Sequence, residues 1–336
     1  MAAPQDEYYV FSYQSAAAAQ LSNGRLRHLP LGRRSVSWQR AIEIPRYARS
    51  LALDVLHVPF NFLPAGSARK IVTIYDLAFL YYPEAHGALE RARLKWLTGF
   101  CARRADHVLT ASAFSRNDLV QRYRVPEQRI TVAPAAVDRM VFGPPSEEQR
   151  AEFRRRSGVS GTFLLHVGTL QPRKNVGLLI DGLALLRGRG TDVQLVFVGR
   201  PERGAEELFR RVRAHGLEGV VHHVAALPDS ALAGAYGEAA ALVLTSLYEG
   251  FGLPALEAMS CGCPVVSSRA GALPEVCGEA ALLFDPRNAE ELVRHLDWLL
   301  TDAALRETVV RKGFANCERF SWERTAALVA GVYHAV

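Results

Sequence analysis

The chain has 336 residues, enough for two ordinary domains that each bury a core. Hydrophobic residues make up 49% and charged residues 22%, and no apolar run approaches the roughly eighteen residues of a membrane-spanning helix, so the expectation is a soluble globular protein. Net charge is +6 and unevenly held: residues 1–145 carry 19 Lys and Arg against 11 Asp and Glu, a surplus of +8, which leaves −2 for the remainder.

The start, MAAPQDEYYVF, lacks the basic-then-apolar pattern of a secretory signal, which makes the cytoplasm the expected compartment. The basic first half suits anionic lipid headgroups or a phosphorylated acceptor, or is merely a solvated basic surface; no nucleic-acid motif accompanies the charge. Cys101, Cys261, Cys263, Cys277 and Cys317 are odd in number and show no C-x-x-C pair, so reduced core thiols are expected rather than a disulfide framework or a zinc site.

In the first half, VLHVP (Val55 to Pro59), KIVTIYDL (Lys70 to Leu77), HVLTAS (His107 to Ser112) and RITVAP (Arg129 to Pro134) read as strands of an α/β lobe. GPPSEEQR (Gly143 to Arg150) combines Gly, Pro and charge as a linker does, which sets a domain boundary at 145/146. Beyond it, FLLHVG (from Phe163), VQLVFVG (from Val193), VVHHV (from Val220), ALVLTSL (from Ala241), PVVSS (from Pro264) and ALLF (from Ala281) alternate with helical stretches at 175–187, 206–215 and 229–240. That alternation is the pattern of a Rossmann-like parallel sheet. After Glu290 the chain reads as helical, and 320–336 is expected to pack back on the first lobe.

Two segments carry chemistry. In HVGTLQPRKN, a strand ends at Gly168, a loop carries Arg173 and Lys174, and Asn175 is placed to cap a helix; unpaired N–H groups and two cations suit a diphosphate, and an ordinary exposed loop is the plain alternative. In LTSLYEGFGLPALEAMSCGCPVV, a strand runs into a Gly-rich turn and a helix with Pro254 near its first position. Gly250 and Gly252 let backbone N–H groups approach a ligand, while Glu249 and Glu257 can accept from sugar hydroxyls or simply favour the helix N-terminus. The chain offers no D-x-D string and no His/Cys cluster, so no metal and no separate cofactor is expected.

The E-x7-E pair and the G-T-L-x-P-R-K-N loop resemble glycosyltransferase family 4, as do T-I-x-D-L-x-F-L-x-x-P-E at Thr73 to Glu84, S-x-F-S-R-x-D-L near Ser112 and L-P-E-V at Leu273 to Val276. The resemblance covers nearly the whole chain and implies the GT-B fold: an acceptor-side Rossmann-like domain, 1–145, facing a nucleotide-sugar-binding one, 146–319. It implies a metal-independent retaining hexosyltransferase acting on a glycan or lipid-linked acceptor, with mannose from a GDP donor as the guess. Arg173 and Lys174 would then be the diphosphate clamp, and Glu249 would hold donor-sugar hydroxyls. The N–H groups around Gly250, Phe251, Gly252 and Leu253 would line sugar and phosphate, Gly168 would belong to the donor site, Glu257 would accept from the ribose, and the base would lie near Ala225 to Leu227. Gly199 would floor the pocket, a side chain there intruding on the nucleotide.

Two departures accompany the likeness. Tyr75 and Asp76 stand where many relatives have a His-Asp pair, and a tyrosine hydroxyl is a poor base near neutrality. His57, ending the neighbouring strand, is a weaker acceptor-side residue with a structural role equally open. The chain also begins at EYYVFSYQ, which resembles the family's second strand, so the first strand, its Gly-rich loop and a helix are expected to be missing. These departures motivate a non-catalytic nucleotide-sugar-binding protein as the alternative; an epimerase of the same fold is a further rival, and a dinucleotide oxidoreductase lacks its G-x-G-x-x-G.

Overall fold

A computed structural model of the chain describes residues 6–12, 25–32, 35–59, 62–83 and 87–336. Glu84, at the end of one family-like string, lies outside them, as do the last two residues of EYYVFSYQ. Twelve strands form three parallel sheets among the described residues. β1 (Tyr8–Ser12) pairs with β2 (Leu26–Pro30) as a two-stranded sheet. β3 (Val55–Pro59), β4 (Arg69–Thr73), β5 (His107–Thr110) and β6 (Ile130–Val132) follow in spatial as well as chain order.

The third sheet contains β7 (Phe163–Val167), β8 (Gln194–Val198), β9 (Val221–Val224), β10 (Ala241–Leu244), β11 (Val265–Ser268) and β12 (Ala281–Phe284), in the order β12-β11-β10-β7-β8-β9. Its central strands are unbroken apolar runs because helices cover both faces: every residue of β7 and of β10 is buried. One apolar cluster, with Phe153, Tyr236, Leu256 and Met259, fills one face; another, with Leu179, Leu183, Phe197 and Leu296, fills the other.

The helices that matter below are α1 (Ile44–Ser50), α2 (Ala88–Arg104), α3 (Ala113–Tyr123), α4 (Glu147–Ser157), α5 (Val176–Gly188), α6 (Ala205–Ala214), α7 (Asp229–Glu238), α8 (Leu253–Ser260), α9 (Leu273–Cys277), α10 (Ala289–Thr301), α11 (Ala303–Cys317) and α12 (Trp322–Ala335). The expected linker is shorter than its composition suggested. Ser146 and Gln149 form a reciprocal capping box, so residues 147–150 are already the first turn of α4.

α12 returns to the first lobe. Val332 is buried with Ile71 of β4 and Leu109 of β5, and Tyr333 and Val336 pack beside them. All five cysteines are free and buried.

Candidate active site

The strand order of the large sheet reverses between β7 and β10, since β8 and β9 lie to one side and β11 and β12 to the other. Chains leaving the carboxyl ends of two such neighbours diverge and open a crevice, the usual ligand position in parallel α/β sheets. The loop after β7 and the turn after β10 are the two segments singled out above. Leu247 N–H donates to the Arg173 carbonyl at 2.8 Å and the Thr245 hydroxyl to the Lys174 carbonyl at 2.8 Å, which fixes one loop on the other.

On this frame three charged side chains converge. The Arg173 guanidinium donates to the Tyr248 carbonyl at 2.7 Å and to Glu249 Oε2 at 3.0 Å. The Lys174 ammonium and the Ser246 hydroxyl, the latter at 2.6 Å, both donate to Glu249 Oε1. The side chains of Arg173, Lys174 and Glu249 are only 16, 12 and 12% exposed. Burial opposes ionisation of Glu249, but Lys174 and Arg173 outweigh it and hold the carboxyl at about 2. The cluster is therefore two preorganised, poorly hydrated cations balanced by one carboxylate, a surplus of one positive charge at the switch point.

The other expected residues surround it. A Cβ on Gly199 would come within 1.9 Å of the Gly168 carbonyl oxygen, so glycine is required there by the neighbouring loop itself, before any nucleotide is considered. A Cβ on Gly250 would lie 2.5 Å from Asp76 Cβ and 2.8 Å from the Tyr75 carbonyl oxygen, which presses the Gly-rich turn against the first lobe. Gly252, at φ +111°, precedes α8, and Phe251 stands edge-on to Phe320 with centroids 5.7 Å apart. Leu253 and Pro254 open α8, and its Glu257 accepts from the buried Tyr236 hydroxyl at 2.7 Å; burial raises the Glu257 pKa, with the Tyr236 bond opposing. Ala225 is exposed and Leu227 partly buried in the turn between β9 and α7.

Asn175 departs from its expected capping role, and Tyr75, Asp76 and His57 take definite positions. Asn175 precedes α5 in a left-handed conformation and its side chain caps nothing; its amide donates to the Pro286 carbonyl at 2.8 Å and ties the loop to the stretch after β12. Tyr75 is 49% exposed with its carbonyl accepting from the Ser115 hydroxyl, whereas Asp76 accepts from Ala78 N–H at 2.9 Å and stands against Gly250. His57 faces inward: its ring nitrogens engage the Tyr333 hydroxyl at 2.7 Å and Thr73 Oγ1 at 2.6 Å, and burial lowers its pKa to about 4. Both nitrogens are thus used in holding α12 on β3 and β4, which favours the structural role.

Sequence reading missed the contacts that join the lobes. Gly250 O accepts from the Ser112 hydroxyl at 2.7 Å, and Glu275 on α9 accepts from Ala113 and Phe114 N–H at 2.9 and 3.2 Å, at the open N-terminus of α3. Tyr248 reaches across to donate to Asp118 at 2.7 Å. The family-like strings near Ser112 and Leu273 contained Ser112, Asp118 and Glu275 but gave no sign that these residues meet the other lobe. His166 was also missed: it is fully buried below Gly168, its Nδ1 bonds the Val243 carbonyl at 3.0 Å, and its Nε2 has no partner. Among the described residues, no group of three or more His, Cys, Asp or Glu is arranged to hold a metal ion.

Residues 147–315 match the model of the group 1 glycosyl transferases, and residues 2–140 that of glycosyltransferase family 4. O-antigen chain mannosyltransferase B of Escherichia coli is 31% identical over 284 residues, spanning 83% of this chain and 74% of that protein. The chain belongs to glycosyltransferase family 4. The MMP alpha-(1->4)-mannosyltransferase of Mycolicibacterium hassiacum is 34% identical to this glycosyltransferase over 237 residues, 69% of the chain but only 54% of the relative, and the chain spans about half the length of several other curated relatives. Anabaena Alr3699/HepE, solved in complex with UDP and glucose, superposes with a TM-score of 0.76 at 19% identity, covering 98% of this chain and 92% of that one. At that identity the likeness speaks to the fold, which is GT-B with two Rossmann-like domains.

Proposed function

We propose that this glycosyltransferase moves a mannosyl group from a nucleoside-diphosphate donor on its second domain, 146–319, to a glycan or lipid-linked acceptor on its first, 1–145 with helix 320–336. The reading rests on one observation: Arg173 and Lys174 lie desolvated at the switch point of a parallel sheet, held by Glu249. Cleavage of the sugar C1–O bond leaves a developing negative charge on the diphosphate, and fixed cations in a water-poor site stabilise it strongly. In a retaining reaction the acceptor oxygen bonds C1 on the face the diphosphate leaves, and its proton passes to a departing phosphate oxygen, so no protein base is required. Tyr75 in place of a histidine is compatible with that route.

Glu249 would orient the cations and accept from donor-sugar hydroxyls. The N–H groups of 250–253 would face sugar and phosphate, Glu257 the ribose, and 225–227 the base. Mannose is favoured because two of the curated relatives above are mannosyltransferases. The reaction would take place in the cytoplasm at the inner face of a membrane and would need no divalent metal, the cations taking the place of an ion.

A panel of nucleotide sugars scored by thermal shift, followed by product analysis with glycan acceptors, tests this. GDP-mannose should stabilise the fold and yield a new glycoside with retained configuration in the presence of chelator. Arg173→Ala/Lys174→Ala should lower turnover by about two orders of magnitude or more. Affinity without turnover would establish the non-catalytic binder, and loss of transfer in chelator would replace the clamp by metal assistance.

A further inference from the structure

Helix α2 (Ala88–Arg104) has two apolar faces, and the fold uses one. Thr98, Cys101 and Ala102 are buried against the first lobe. On the opposite side Leu89, Trp96 and Phe100 are 85, 65 and 37% exposed. Positions 89, 93, 96, 100, 103 and 104 recur at helical spacing, so Leu89, Trp96 and Phe100 form one stripe with Arg93, Arg103 and Arg104 along it. Trp96 and Phe100 stack in the open, with centroids 5.5 Å apart and planes inclined by 14°. Arg91 and Lys95 turn away from the stripe, toward a cavity they line with Phe79, Leu80, Ala88 and Ala92.

An exposed aromatic stripe costs solvation free energy and is rare on a surface with no partner. Its surroundings identify the kind of partner. The helix carries five basic residues against the single Glu90, within a half of the chain that has a surplus of +8. Tryptophan beside arginine is the pairing that suits a bilayer boundary, where rings enter the acyl edge and guanidinium groups meet phosphates. A second copy of this chain is a poor fit, because a two-fold contact through the stripe would set Arg93, Arg103 and Arg104 against the same three cations.

We infer that the Leu89, Trp96 and Phe100 face of α2 is a docking surface for an anionic lipid bilayer. The helix lies in the interface plane, its apolar stripe entering the headgroup boundary and Arg93, Arg103 and Arg104 contacting lipid phosphates. This deepens the membrane part of the reading above and is independent of the sugar transferred. Because α2 follows closely on the 75–81 segment facing the second lobe, docking would hold the acceptor side of the cleft near the membrane.

The test is flotation of the full chain with phosphatidylglycerol-containing and with pure phosphatidylcholine vesicles, at low and high salt. The chain should float with the anionic vesicles, less so in high salt, and not with the zwitterionic ones. Trp96→Ser/Phe100→Ser should weaken partition by about tenfold or more, and Arg93→Gln/Arg104→Gln should weaken it and reduce its salt dependence. Both variants should keep the thermal stabilisation that GDP or UDP gives the parent, which checks the fold. Absence of wild-type flotation, or undiminished flotation of the aromatic variant, overturns the inference. So would loss of self-association in that variant without any vesicle binding, which would assign the stripe to another protein surface. Failure of the parent to respond to nucleotide would count against the donor reading and leave the vesicle result standing.

Discussion

Glu249 is an acceptor with three donors, Arg173, Lys174 and Ser246, and it is ionised at any physiological pH because the two cations outweigh its burial. A donor diphosphate would compete with it for the same cations. Removing its charge should therefore spare nucleotide binding while disturbing the geometry that acts on the leaving group. Glu249→Gln is expected to lower transfer by about two orders of magnitude, with nucleoside diphosphate affinity equal to or above that of the parent. Glu257→Gln should cost about tenfold or less, since its Tyr236 partner can still donate. Measured kcat/KM and calorimetric Kd values check this; a Glu257 effect exceeding that of Glu249, or a Glu249 variant that transfers normally, would move the sugar elsewhere. The two acids and two cations were legible as residues, because loops at strand ends expose chemistry that local sequence names. That Glu249 pairs with both cations was not, because Lys174 and Glu249, 75 positions apart, meet only through the sheet.

The last helix is held on the first sheet by an element-scale contact centred on His57. Its bonds to Thr73 and Tyr333 join β3, β4 and α12, and burial lowers its pKa from 6.5 to about 4. Between those values the unfolded chain takes up a proton that the folded chain refuses. Stability is therefore full above about pH 6.5 and falls as pH drops toward 4, by up to about 3 kcal/mol for the whole shift. His166, lowered to about 4 as well, acts in the same direction. Urea unfolding followed from pH 7 to about 4.5 should show a shallower loss in His57→Gln than in the parent; identical slopes would mean that His57 is not buried as described. Nothing in VLHVP distinguishes a cleft histidine from one that clasps a helix nearly three hundred residues away.

At the scale of the whole molecule, the lobes meet through the Gly250 turn and through Glu275, whose carboxylate takes two N–H groups at the start of α3. A carboxylate at a helix N-terminus is favoured by both the unpaired donors and the dipole. Glu275→Gln should open this contact, lowering stability by about 1 kcal/mol and enlarging the radius of gyration in solution scattering. The nucleotide-induced thermal shift should survive, because the clamp lies within the second lobe. An unchanged scattering profile together with unchanged stability would show that Glu275 does not hold the lobes together.

The local units are legible in the amino-acid order alone. Continuous apolar strands, amphipathic helices, Gly-rich strand ends and the basic bias of the first half are all short-range properties, carried by the residues themselves. Adjacency comes from the packing of the folded chain. Because β10 lies beside β7 and not beside β9, the cations of one loop reach the carboxylate of another; because the two lobes touch, Gly250 rests on Asp76. The same holds for α2, whose exposed aromatic stripe and buried face look alike in sequence: only packing, which buries whichever face lowers the free energy of the whole chain, shows which was left to the outside.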